Sequence, residues 1–117
     1  MKVSILGTEY TIKIVEPTEE MKENGYVGIC SSNDSSIMLV DFSKVDDFKH
    51  CTEKEISNAT AETLRHEICH AFFNESGLKD SANAFEGPWV KNEELIDWLA
   101  IQGPKIMRAW KEAGCLD

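Results

Sequence analysis

The stretch His66-Glu67-Ile68-Cys69-His70 constrains this chain more than any other, because its chemistry requires a helix. Residues four apart share a helical face, so the two imidazoles can close on one metal ion while Glu67, next to His66, points at a water in the same place. Neutral imidazoles hold zinc without cancelling its charge, and zinc can bring the pKa of a bound water down to about 7. Glu67 is then the group that takes the proton as the water attacks a carbonyl. The flanking residues predict a helix long enough to carry this motif. Thr52-Glu53-Lys54-Glu55 has the Ser/Thr-x-x-Glu pattern of a capping box, and Gly77 followed by Leu78 is a stop, which puts the helix's end at about Ser76. Ala61, Leu64, Ile68, Ala71 and Phe72 give it a core stripe on a different side from the metal residues.

A second pair of the same spacing follows in Asn92-Glu93-Glu94-Leu95-Ile96-Asp97, where Glu93 and Asp97 share a helical face. Twenty-two residues separate His70 from Glu93, enough to end one helix, cross a loop over Lys79 to Trp89 and begin another. His-Glu-x-x-His followed by Asn-Glu-x-x-x-Asp resembles the gluzincin family of zinc peptidases. The resemblance implies zinc (Zn2+) held by His66, His70 and Glu93, Glu67 as general base, and Asp97 accepting from the outer ring nitrogen of a ligand histidine, His66 being the expected one. Glu94 competes as third ligand, but it lies about 100° further round the helix and out of step with Asp97. The chain departs from the larger gluzincins in having no His or Tyr after Glu93 to stabilise an oxyanion. Backbone donors, Tyr26, His50 and Arg108 remain as candidates.

The chain as a whole is also similar to the very small metallopeptidase-like proteins of bacteriophages and prophages, and distantly to the ImmA/IrrE peptidases that cleave repressors. The similarity is strongest from Thr63 through Leu78 and from Asn92 to Gln102, and weaker over residues 1–62. It implies a zinc-dependent endopeptidase acting on an intracellular regulatory protein. Two other classes stay open: a catalytically inactive zincin-fold module that binds zinc and a partner, and a non-peptidase zinc hydrolase with the same ligands.

The order of elements predicts an α+β chain. Lys2 to Val15 alternates at Val3/Ile5 and Tyr10/Ile12/Ile14 around Gly7-Thr8-Glu9, a β-hairpin pattern. Glu16 to Gly25 reads as a solvated connection. Tyr26 to Cys30 and Ile37 to Asp41 form a second strand pair about the polar loop Ser31 to Ser36. Asp41 to Cys51 reads as a short helix or turns. From about Val90 a second helix carries Leu95, Trp98, Leu99 and Ile101 on its buried side, and Gly103-Pro104 is expected to kink or break it before a last helical segment ending near Gly114. Strands first and helices afterwards give an antiparallel sheet packed on the metal-bearing helix, followed by C-terminal helices. That is the shape of a minimal zincin-like domain, expected as one domain over residues 1–117. Such enzymes offer an edge strand to extended substrate, and Ile37-Met38-Leu39-Val40 is the candidate.

Composition limits the partners. A formal charge of −9 argues against nonspecific nucleic-acid binding, which depends on cations that neutralise phosphates. There is no apolar run long enough to span a bilayer, and the apolar part of Met1 to Gly7 is too short for a signal peptide, so a soluble, cytoplasmic protein of a bacterial or phage-infected cell is expected. Cys30, Cys51, Cys69 and Cys115 are widely spaced without a Cys-x-x-Cys pair and are expected as thiols, Cys69 at a packed helix position rather than on the metal.

Overall fold

The computed structural model describes residues 1–76 and 93–116, the side chains of residues 93–97 and 100 excepted. Strands β1 (Lys2–Ile5) and β2 (Thr8–Val15) pair antiparallel with Ile5 opposite Thr8. Leu6 and Gly7 turn between them with φ of +50° and +91°. Two successive left-handed residues match the right-handed twist of the strands, which is why so tight a hairpin closes here. Val3, Ile5, Tyr10 and Ile12 are buried as the alternation predicts; Ile14 continues it in sequence but is 60% exposed.

The segment expected as a solvated connection holds a short helix, α1 (Glu19–Asn24), capped by the Thr18 hydroxyl, which accepts from the Met21 amide at 3.1 Å. Its one buried side chain, Met21, packs with Val40 and Phe42. Strands β3 (Gly28–Ser31) and β4 (Ser36–Val40) form a second antiparallel pair. The sheet order is β1-β2-β4-β3, with β4 parallel to β2. The sheet is therefore mixed, not antiparallel, and Ile37 to Val40 is an interior strand, not the edge. The physical reason lies in β4's own residues. Ile37 and Leu39 pack into the main core and Val40 packs with Met21 and Phe42 on the other face, so β4 is covered on both faces, as interior strands with near-continuous apolar runs are. The edge on this side is β3.

Two single 3₁₀ turns, Phe42–Lys44 and Asp46–Phe48, occupy the stretch expected as short helix or turns, the first capped by the Asp41 carboxylate. Helix α2 (Glu53–Glu75) begins where the capping pattern placed it, with the Thr52 hydroxyl accepting from the Glu55 amide at 3.1 Å. Gly77 and Leu78, expected as its stop, and the expected loop Lys79 to Trp89 lie outside the described residues.

Helix α3 (Glu93–Glu112) runs unbroken through Gly103-Pro104, so the expected pair of C-terminal helices is one. Proline disfavours a helical predecessor because its ring meets that residue's Cβ, and Gly103 has none. Pro104 itself is exposed, while Ile106, Ala109 and Ala113 hold the following turns in the core. Leu99 and Ile101, expected on the buried side, are 50% and 64% exposed, whereas Trp98 is half-buried against the core.

One core joins the layers: Val3, Ile5, Tyr10, Ile12, Ile37 and Leu39 from the sheet meet Leu64, Ile68, Ala71 and Phe72 of α2 and Ile106, Ala109 and Ala113 of α3. The result is an α+β fold with both long helices against one sheet face. The C-terminal turn is tied to α2 by Arg65, whose guanidinium donates to the Cys115 carbonyl, and by the Trp110 indole, which donates to the Arg65 carbonyl at 3.3 Å. None of the four cysteines forms a disulfide. No helix among the described residues is long and apolar enough to cross a membrane.

Candidate metal centre

Because Leu64, Ile68, Ala71 and Phe72 are drawn into the sheet, the rotation of α2 is set, and His66 and His70 come out on its exposed side. Their Nε2 atoms lie 3.1 Å apart, with ring centroids 4.8 Å apart and planes at 69°. Two nitrogens bound at about 2.0–2.1 Å to one tetrahedral ion stand roughly 3.3–3.4 Å from each other, so the pair already converges to nearly a chelating distance. A carboxylate oxygen of Glu67 joins them, all three ligand atoms lying within 4.8 Å of one another.

Glu67 differs from the histidines in its surroundings. It is 6% exposed and is the one buried charged residue among those described. Burial pushes its carboxyl above the usual range, and charge on His70 and His66 pulls it partly back. A carboxylate that holds a proton more readily than usual, set beside a pair of nitrogens that could ligate a metal, is suited to accepting a proton from water.

The three side chains stand in an open cleft of about 960 Å³ between β3 and α2. One wall is Gly25 to Cys30, and the other carries Glu62, Thr63, Phe73 and Asn74 beside the metal candidates. Phe73 sits edge-on to His70 at 6.4 Å and to Trp98 at 5.0 Å, and the Trp98 indole donates to the Ser76 hydroxyl at 3.1 Å. The first turns of α3 are thereby held against the end of α2, one helical turn beyond His70. The side chains of Glu93, Glu94 and Asp97, expected as third ligand, its competitor and the outer partner, lie outside the described residues.

Among the candidates for stabilising an oxyanion, Tyr26 lines the cleft, while His50 and Arg108 are exposed and do not line it. Cys69 packs against the core beside the histidines. Glu75 accepts from the Thr8 and Tyr10 hydroxyls at 2.7 Å each, and Asn74, on the cleft wall, donates to the Cys30 sulfur at 3.8 Å, joining the end of α2 to β2 and β3.

Sequence reasoning passed over Gly28 and Thr63. An isolated glycine inside a strand often marks a close backbone approach, and Gly28 stands between Val27 and Ile29 as such a signal. Comparison with family models, with curated proteins and with solved structures finds no match to this chain.

Proposed function

We propose that the chain is a zinc-dependent endopeptidase of gluzincin type acting on another protein inside the cell. His66, His70 and Glu93 hold the ion, Asp97 orients a ligand histidine, and Glu67 moves the proton. The observation that carries the reading is the approach of the two imidazole nitrogens to 3.1 Å with a buried carboxylate beside them on the wall of an open cleft. Two imidazole nitrogens that converge in this way are a donor set zinc accepts, and the contact of Trp98 with Phe73 supports a third ligand from the start of α3.

Zinc, when bound, supplies a Lewis acid that acidifies water and polarises a carbonyl. The chain's own contribution is positional and protolytic. Glu67 accepts the proton of the attacking water and passes it to the amine that leaves. β3, the sheet edge facing the cleft, offers its backbone to an extended peptide by strand addition, the place first sought at Ile37 to Val40.

The test is cleavage of a fluorogenic peptide library by the wild type and by Glu67→Gln, both assayed for zinc. Glu67→Gln is expected to keep the ion and lose on the order of 10²- to 10⁴-fold in rate. Equal rates in the two proteins would remove Glu67 from the mechanism. A zinc-loaded wild type that cleaves nothing in the library or among regulatory proteins would replace the peptidase with a zinc-binding interaction module.

A further inference from the structure

We propose that Gly28 is a positioning residue for Glu67: the missing side chain on β3 is what lets the carboxylate stand in the cleft beside the two imidazoles. The inference rests on Glu67 as the proton acceptor. Gly28 is not among the residues with positive φ, so glycine is not needed there for backbone conformation, and in a strand it weakens pairing. Space is the remaining reason. A Cβ built on Gly28 would lie 2.8 Å from Thr63 Cγ2, 3.1 Å from Glu67 Cγ and 3.2 Å from Glu67 Oε1. Carbon atoms in good contact stand about 3.5–4.0 Å apart, so something has to move.

Thr63 and the strand that carries Gly28 are both held. The Thr63 hydroxyl donates to the Ala59 carbonyl at 2.8 Å, which fixes the rotamer that aims Cγ2 at the strand. Gly28 is paired with Leu39, a completely buried residue of the central strand, so β3 cannot retreat without opening the sheet. The 2.8 Å approach falls on Thr63 itself, whereas the contacts at 3.1 and 3.2 Å are relieved by a shift of a few tenths of an ångström in the Glu67 side chain, which no such bond holds. Any residue larger than glycine at position 28 therefore displaces the carboxylate from its place next to His66 and His70.

The experiment compares wild type, Gly28→Ala and Gly28→Ala/Thr63→Ser as full-length, zinc-loaded proteins. Serine at 63 removes the methyl at 2.8 Å and keeps the hydroxyl, so the double variant relieves the hard clash while leaving the contacts with Glu67. Three quantities are read: zinc per chain, the ¹³C carboxyl resonance of Glu67 assigned through Glu67→Gln, and kcat and KM on the peptide that the wild type cleaves best from a fluorogenic library. Both variants are expected to hold zinc, to shift the Glu67 resonance, and to lose about tenfold in kcat with KM little changed, since sub-ångström misplacement has costs of that order. The double variant is expected to recover melting temperature without recovering kcat. Recovery of both together, or a Glu67 resonance unmoved by either variant, would reduce Gly28 to packing. If Gly28→Ala does not fold, the double variant carries the same readouts. Should the wild type cleave no peptide, the proposed activity falls by itself, and the Glu67 resonance still decides the role of Gly28.

Discussion

At the scale of single residues, the cleft side of α2 is arranged against stability. Burying Glu67 without a cation is costly, and neutral glutamine at that position is expected to melt no lower than wild type in the metal-free protein. Tyr10 shows the opposite balance. Its ring is fully buried and its hydroxyl donates to Glu75 at 2.7 Å; burial first, and then the neighbouring Glu75, push the phenol well above its ordinary value of 10.0. A raised phenol pKa means that the fold favours the protonated form. The stability this gives is present in full below about pH 10 and is lost as the pH rises from there toward the raised value. Tyr10→Phe is expected to cost roughly 1.5–3 kcal/mol near neutral pH, the range for a hydrogen bond to a charged group, and to flatten the alkaline fall in stability. Urea unfolding at neutral and at strongly alkaline pH checks both.

Elements differ in how much of their structure is local, and that decides what could be read from residues. Helix α2 was legible because each of its signals is near in sequence: the Thr52 cap, the spacing of Leu64, Ile68, Ala71 and Phe72, and the histidine pair itself. The position of β4 was not. Alternation and apolar content say which way Ile37 and Leu39 face, but not that β2 will be their parallel neighbour, because that pairing joins residues more than twenty apart. α1 was hidden because six residues with one buried side chain carry no periodicity. The passage of α3 through Gly103-Pro104 turned on packing of Ile106, Ala109 and Ala113 that only the assembled core supplies. Two substitutions test these elements. Thr52→Ala, which removes the acceptor for the Glu55 amide, is expected to destabilise by about 1 kcal/mol. Pro104→Ala is expected to stabilise by about 2 kcal/mol, the helical penalty of proline less the freedom it removes from the unfolded chain. A broken helix at Pro104 would show no such gain in thermal unfolding.

For the whole molecule, the sheet and helix α2 set a cleft in which β3 supplies one wall and α2, with His66, Glu67 and His70, the other. The gluzincin reading needs α3 to complete the site. Glu93→Ala is therefore expected to lose zinc strongly and Glu94→Ala to retain it. Asp97→Ala is expected to weaken binding on the order of 10- to 100-fold, the usual cost of removing an outer-shell partner. The reverse order for the two glutamates in a zinc titration would require a different rotation of α3 against α2. The most direct measurement is the zinc content of the purified protein beside that of His70→Ala, each confirmed folded by circular dichroism. One zinc per chain in the wild type and loss of it in His70→Ala is the expected result. Equal zinc in the two proteins, or none in either after loading, would contradict a metal centre on His66 and His70.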